Sequence, residues 1–262
     1  MIPKIIHHIA PQNKQVWHPL WRSCYQSWLN QFPENEFELI LWNDEEDIDN
    51  LIQSSYPNYL QFYNSLPYHI MKIDVSRLLI LHKYGGIYSD MDVYCYKNFY
   101  DQISNSITLM QAACVGETVQ NCLMSSVPNS NFFIECIEVI KNKFFDYDRK
   151  VPCVYDVTRE AFDDYVKDIT GPHILSEIYN KYSYDIGFFP KELYNANSRY
   201  YSEELITRHF LTGIWGSEII KEFIFNTGNP NTDDMMILKY EESRKLNVKN
   251  INFYKNYFVD RE

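Results

Sequence analysis

The sequence lacks the excess of basic residues with which nucleic-acid-binding proteins displace counterions. Its 262 residues include 35 Asp and Glu but 24 Lys and Arg, which gives a formal net charge of −11. This balance argues against nucleic acid as a partner. It is compatible with one small anionic ligand that is held by a metal ion and a few local cations.

Other features are missing as well. The six cysteines contain no C-x-x-C pair, which excludes the common zinc spacings and a dense disulfide framework. The chain opens without the long apolar run of a signal peptide or a transmembrane segment. It also has no internal repeat, low-complexity run or clear linker. These absences favour a cytoplasmic enzyme with a single α/β domain over residues 1–262.

The first part of the chain has the pattern of a parallel β-α-β unit. Residues 2–9 are a β-branched run typical of a buried strand, and an amphipathic helix ends near Pro33. Residues 37–42 are predicted to form a second strand, and Asp44 is predicted to cap the next helix. Later strands are expected over 107–113, 121–126, 188–190 and 205–210. One helix is expected over 131–145, and another follows Thr170-Gly171-Pro172 and ends at residue 182.

The most informative stretch is a helix that ends at a double glycine and leads to two carboxylates. The helix is predicted over residues 68–84, with Gly85 at its C-terminal end. An extended segment then leads to Asp90 and Asp92, and in an extended chain these two side chains project to the same side. Two carboxylates at the end of a strand could hold a hard divalent cation, which in turn holds nucleotide phosphates.

Two further sets of polar residues have an ambiguous pattern. Asp74 and Arg77 share one face of the predicted helix, and their apolar neighbours indicate that this charged pair is buried. His209 stands beside apolar residues, where it could be structural or could complete a metal site. His7 and His8 are predicted to be strand residues with no metal role, one facing the core and the other a cleft.

Taken together, these motifs resemble the DXD sugar-transferase family, glycosyltransferase family 32, and more distantly the catalytic core of the large clostridial glucosylating toxins. The most specific block is Asp74-x-x-Arg77 with Tyr84-Gly85-Gly86-Ile87-Tyr88-x-Asp90-x-Asp92. The flanking matches are Ile2-Pro3-Lys4-Ile5-Ile6-His7, Leu41-Trp42-Asn43-Asp44, Thr170-Gly171-Pro172 and His209 with Trp215-Gly216.

The resemblance implies a GT-A type, Rossmann-like α/β domain with a central mixed sheet. Residues 1–100 would form the nucleotide-sugar half and residues 101–262 the acceptor side. The implied activity is a retaining transfer, dependent on Mn²⁺ or Mg²⁺, of a hexose or N-acetylhexosamine from a nucleotide sugar. A UDP-sugar is favoured over a GDP-sugar as donor. The acceptor would be a glycan or a lipid-linked saccharide, with peripheral contact to a membrane.

The resemblance also implies roles for single residues. Asp92 would bind the metal directly, Asp90 would contact the sugar or ribose and the waters of the metal, and His209 would complete the site. Asp74 and Arg77 would hold the hydroxyls and the phosphate side of the donor. The remaining predicted substrate-binding residues are Ile9, Tyr88, Asn121, Gly171 and Trp215.

The chain departs from the family pattern at two places. His8-Ile9-Ala10 stands where many members have Gln-Ile-Trp, and Ile214-Trp215 stands where many have Ser-Trp. Two alternative functions share the scaffold: an effector that glycosylates a protein, and a non-catalytic nucleotide- or sugar-binding module. A metal phosphohydrolase would need a Ser or Thr just after the Asp-x-Asp, whereas Val93-Tyr94 follows here.

Overall fold

A six-stranded mixed sheet forms the centre of the protein. The computed structural model describes residues 1–17, 19–103, 106–112, 119–146, 159–181, 185–194 and 204–210. The strands are β1 (Ile5–Ala10), β2 (Glu38–Asn43), β3 (Gly86–Ser89), β4 (Val93–Cys95), β5 (Ile107–Gln111), β6 (Val119–Ser126), β7 (Ile186–Phe189) and β8 (Thr207–His209). The sheet order is β2-β1-β3-β6-β5-β7, and β4 pairs with β8 in a separate two-stranded ribbon.

The strand directions explain why the sheet is mixed. β1 runs parallel to both β2 and β3, as the predicted β-α-β unit requires. β6 is antiparallel to its neighbours β3 and β5, and β7 is parallel to β5. The carboxyl ends of β1, β2 and β3 therefore lie at one edge of the sheet, where open α/β sheets bind ligands.

Helices cover both faces of this sheet. They are α1 (Pro19–Gln31), α2 (Glu46–Ser55), α3 (Leu60–Ser65), α4 (His69–Tyr84), α5 (Asn131–Asp146), α6 (Arg159–Ile169), α7 (Pro172–Lys181) and α8 (Lys191–Tyr194). A larger apolar cluster packs α2, α4, α5 and α7 against one face, and a smaller cluster packs α1 against the other. Within the described residues, no helix is both long and apolar enough to span a membrane.

One predicted helix cap is wrong. Glu45, rather than Asp44, precedes α2, and no side chain caps that helix. An Asp44 carboxylate oxygen instead lies 3.0 Å from Nε2 of His69, at the start of α4. Asp44 therefore joins the end of β2 to α4, a contact between parts of the chain that a local capping rule does not consider.

The double glycine after α4 is required by backbone geometry. Gly85 and Gly86 have φ angles of +64° and +88°, a region that side-chain-bearing residues rarely adopt. A Cβ on Gly86 would lie 2.4 Å from the carbonyl oxygen of Ile5 on β1. The turn thus ends α4 as predicted and lets β3 lie directly against β1.

Candidate active site

Asp74 is buried in the middle of α4 and is held by Arg77 of the same helix and by two other segments of the protein. Its Oδ1 accepts a hydrogen bond from the side-chain amide of Asn121 at 2.9 Å and lies 3.0 Å from Nη2 of Arg77. Its Oδ2 accepts a hydrogen bond of 2.8 Å from the hydroxyl of Thr170. Burial raises the pKa of Asp74, and Arg77 opposes that rise. Both carboxylate oxygens are therefore engaged within the protein.

Arg77 connects this helix to the first carboxylate of the Asp-x-Asp. Its Nη1 lies 3.0 Å from Oδ1 of Asp90 and donates to the carbonyl oxygen of Asn121 at 3.1 Å. Its guanidinium also lies over the ring of Tyr88, 5.2 Å from the ring centroid. Burial alone would lower the pKa of Arg77, but the attraction of Asp90 and its other anionic neighbours raises it. The predicted burial of the Asp74–Arg77 pair is confirmed.

Asp90 and Asp92 lie in a turn at the end of β3 and not in an extended segment as predicted. The amide of Val93 donates to the carbonyl oxygen of Asp90 at 3.2 Å, which closes the turn. Asp90 also accepts a hydrogen bond of 2.7 Å from the hydroxyl of Tyr88. The two carboxylates approach each other because the chain turns, and not because of the two-residue period of a strand.

The β4–β8 ribbon brings His209 to this turn. His209 pairs with Val93 across the ribbon, and the amide of Phe210 donates to the carbonyl oxygen of Asp92 at 3.0 Å. Nε2 of His209 lies 3.3 Å from Oδ1 of Asp92. Each of Asp90, Asp92 and His209 offers one ligand atom, and these three atoms lie within 4.8 Å of one another.

This group of three side chains fits a divalent cation. Two carboxylate oxygens and one imidazole nitrogen suit Mn²⁺, whereas Mg²⁺ prefers oxygen alone. Burial raises the pKa of Asp90, and Asp92 adds to that effect while Arg77 opposes it. Burial lowers the pKa of His209, but Cys122 and Asp92 outweigh it and raise that pKa well above its ordinary value. A bound cation would relieve the repulsion between the two carboxylates.

The other predicted site residues fall into three groups. Tyr88 and Asn121 lie in the cluster, where they contact Asp90 and Asp74. Ile9 packs in the larger apolar core, and a Cβ on Gly171 would lie 2.7 Å from the Cα of Lys167, so both have evident packing roles. Trp215 lies outside the described residues. The donor contacts of all these residues stay predictions.

Two features of the site were not predicted from sequence. Thr170 holds Asp74, and its only signal was its place in the Thr-Gly-Pro segment. His7 and His8 are both fully buried, so the expectation that one of them faces a cleft is wrong. Helices cover both faces of the sheet at β1, which removes the polar face that the alternation predicted.

The part of the chain that carries these groups matches a known family. Residues 19–110 match the family described as "Glycosyltransferase sugar-binding region containing DXD motif". The matched stretch includes Asp74, Arg77, Asp90 and Asp92. This stretch is therefore similar to a DXD sugar-binding region. The match confirms the resemblance seen in the sequence, and His209, the third candidate ligand, lies outside the matched residues.

Curated relatives of the DXD region include yeast sugar transferases. The chain is 28% identical over 175 residues to inositol phosphoceramide mannosyltransferase 1 of Schizosaccharomyces pombe, a match over 66% of this chain and 54% of that protein. It is 30% identical over 182 residues to mannosyl phosphorylinositol ceramide synthase SUR1 of Saccharomyces cerevisiae, over 70% and 43% respectively. The chain thus spans about half the length of these relatives.

A solved structure shares the fold. PaToxG glycosyltransferase superposes with a TM-score of 0.51 over 69% of each chain, at 15% sequence identity. A central mixed sheet flanked by helices is common to both, so the expectation of a GT-A type α/β fold is confirmed.

Proposed function

We propose that the protein is a metal-dependent glycosyltransferase that moves a hexose from a nucleotide sugar to a glycan or lipid-linked acceptor. The observation that carries this proposal is the convergence of Asp90, Asp92 and His209 within 4.8 Å at the end of β3. The first two of these residues belong to a stretch that matches a sugar-binding family. The family match, rather than the ligand set alone, favours a transferase over a metal hydrolase.

The residues of the cluster divide the work of holding the donor. Asp92, His209 and Asp90 would hold the ion, which supplies positive charge to the leaving nucleoside diphosphate. Arg77 and Tyr88 hold the Asp90 carboxylate in place through the contacts described above. Asp74 in turn holds Arg77. The donor would therefore meet a prearranged charged surface, and little reorganisation would be needed during transfer.

We favour transfer with retention of the anomeric configuration, by attack of the acceptor on the face from which the diphosphate leaves. Asp74 and Asp90 both accept hydrogen bonds from protein groups, which makes each a poor nucleophile toward the anomeric carbon. NMR of the purified product would report the anomeric configuration. An inverted product would disprove this route.

The relatives suggest which donor to test first. One of the two yeast relatives is named as an inositol phosphoceramide mannosyltransferase and the other as a mannosyl phosphorylinositol ceramide synthase. We therefore propose mannose as the first sugar and a lipid-linked acceptor as the first acceptor class. GDP-mannose comes before the UDP-sugars that the sequence resemblance favoured.

The test is donor hydrolysis in the presence of Mn²⁺. The protein would be incubated with GDP-mannose, UDP-glucose, UDP-galactose and UDP-N-acetylglucosamine, and the released nucleoside diphosphate would be quantified. We expect release from one donor, loss of that release with EDTA, and loss in Asp92→Asn. Binding of a nucleotide with Mn²⁺ but no release from any donor, with or without lipid acceptors, would support the non-catalytic binding module instead.

A further inference from the structure

Two consecutive histidines lie on β1, next to the strand that leads into residues 90–93, the proposed metal-binding turn. They have no part in the function proposed above. His7 and His8 are adjacent on β1 and have no exposed surface. One of the two neighbours of β1 in the sheet is β3, the strand that ends at Ser89, just before Asp90. Because their side chains alternate, one ring lies on each face of the sheet.

His7 holds the start of β3. Its Nε2 lies 2.9 Å from the carbonyl oxygen of Gly85, just before the strand begins. The indole of Trp42 donates to Nδ1 of His7 at 3.1 Å. An indole N–H can only donate, so Nδ1 must accept, and Nε2 carries the proton that is donated to Gly85. Trp42 thus sets the tautomer of His7.

His8 holds the end of β3 with its other ring nitrogen. Its Nδ1 lies 2.8 Å from the carbonyl oxygen of Ser89, and a carbonyl can only accept, so Nδ1 carries the proton. The ring packs edge-on against Tyr25 and Trp28, with 5.5 Å between centroids in each case. Nε2 of His8 is buried and has no hydrogen-bond partner among the described residues. The protein therefore uses only one nitrogen of this side chain.

The peptide unit that His8 contacts is the one that leads into the Asp-x-Asp turn. The carbonyl of Ser89 and the amide of Asp90 belong to the same planar peptide. His8 binds the carbonyl, and the amide donates to the carbonyl oxygen of Cys122 on β6 at 2.8 Å. Paired residues of β1 and β3 end at His7 and Tyr88, so the His8 side chain takes over where the strand pairing stops.

We propose that His7 and His8 are positioning residues that fix the two ends of β3 and thereby the orientation of the metal-binding turn. His8 has the larger share, because rotation of the Ser89–Asp90 peptide would displace both carboxylates. This inference rests on the proposed function, since it concerns the same metal site. Burial lowers the pKa of each histidine to about 4, so both rings are neutral at pH 7 and each keeps one donor.

The opposite use of the two ring nitrogens provides a matched test. The side-chain amide of Asn can place a donor near the position of Nδ1, and that of Gln near the position of Nε2. At position 8, His8→Asn should therefore preserve the bond to Ser89 and His8→Gln should lose it. At position 7 the order is reversed, so His7→Gln should preserve the bond to Gly85 and His7→Asn should lose it.

The measurement is Mn²⁺ affinity, from the EPR signal of free Mn²⁺ during titration of each full-length variant, with thermal unfolding as a check on folding. Loss of a group that orients the ligands of a metal site typically weakens metal binding 10–100-fold. We therefore expect Mn²⁺ to bind about tenfold more weakly to His8→Gln than to His8→Asn. A general packing defect would not produce opposite preferences for Asn and Gln at two adjacent positions.

Each outcome decides a different question. If wild-type protein binds Mn²⁺ and the Asn and Gln variants at both positions bind it equally, the positioning role is disproved while the proposed function stands. If wild-type protein binds no Mn²⁺, the proposed metal-dependent function itself fails. If His8→Gln does not fold at the assay temperature, the comparison of His7→Gln with His7→Asn decides the proposal in the same way.

Discussion

Arg77 holds Asp90 from the neighbouring helix, with 3.0 Å between Nη1 and Oδ1. The same guanidinium contacts Asp74 through Nη2, also at 3.0 Å. One buried cation thus contacts a buried carboxylate in α4 and a partly exposed carboxylate in the Asp90–Asp92 turn. The helix and the turn are therefore energetically coupled.

We expect Arg77→Met to destabilise the protein by about 3 kcal/mol, because it leaves the buried Asp74 carboxylate and the partly exposed Asp90 carboxylate without their cation. Urea unfolding at pH 7 would measure the loss. Arg22→Met provides a control, since Arg22 is exposed on α1 and donates only to a backbone carbonyl at the surface. Equal stability of the two variants would show that the Arg77 contacts contribute little.

Asp92→Asn should abolish most donor hydrolysis while leaving the fold intact. The substitution keeps the shape of the side chain but removes the charge that attracts the cation. Metal-based charge stabilisation is worth several kcal/mol, so kcat/KM should fall roughly a thousandfold. The matched control is Asp101→Asn, an exposed residue outside the site. Unchanged turnover in Asp92→Asn would remove this residue from the ligand set.

His209→Ala should raise the Mn²⁺ concentration needed for half-maximal donor hydrolysis. In the proposed site the ring would supply the nitrogen ligand, whereas the backbone contact between Phe210 and Asp92 would persist. We expect a shift of about tenfold or more. His173→Ala, which removes a partly exposed histidine paired with Asp168, should cause no shift. Identical metal dependence in the two variants would assign His209 a structural role.

Stability should fall as the pH drops from 6.5 towards 4, in part because of His7 and His8. Their folded-state pKa values of about 4 lie below the ordinary value of 6.5, so the unfolded chain binds more protons in this interval. The stability that they contribute is present above pH 6.5 and is lost on acidification. Between pH 7 and pH 5 the loss should be about 2 kcal/mol per histidine.

The same pH interval can be examined by urea unfolding of wild type and His8→Asn. The variant has no ionisable group at position 8, so its stability should decrease less steeply with falling pH. Parallel curves for the two proteins would mean that His8 has the same pKa in the folded and unfolded chains.

Local rules predicted the first half of the chain well. The helix before Gly85 was expected over residues 68–84 and is observed at His69–Tyr84, because its apolar content, its terminal cations and its glycine all indicate the same boundaries. The parallel pairing of β1 with β2 is confirmed as well. β4 was not predicted, since it has only three residues and its strand partner β8 is distant in the chain.

The site itself was only partly predictable. Asp90 and Asp92 were found by their spacing, although their turn conformation was not. The pairing of Thr170 with Asp74 depends on how α6 and α7 pack against α4, and no spacing rule reports such a contact. The alternation rule likewise placed one of the two histidines at a cleft, whereas Tyr25 and Trp28 of α1 cover the face on which His8 lies.

The β4–β8 ribbon has a consequence for the order in which parts of the protein unfold locally. A cation bound to Asp92 and His209 would act as a removable crosslink between the middle of the chain and its last described strand. Loading the ion would then slow amide hydrogen exchange at residues 207–209, and chelation would release these amides before α4 or the central sheet. The ion would thus stabilise the attachment of β8 to a core that is already folded.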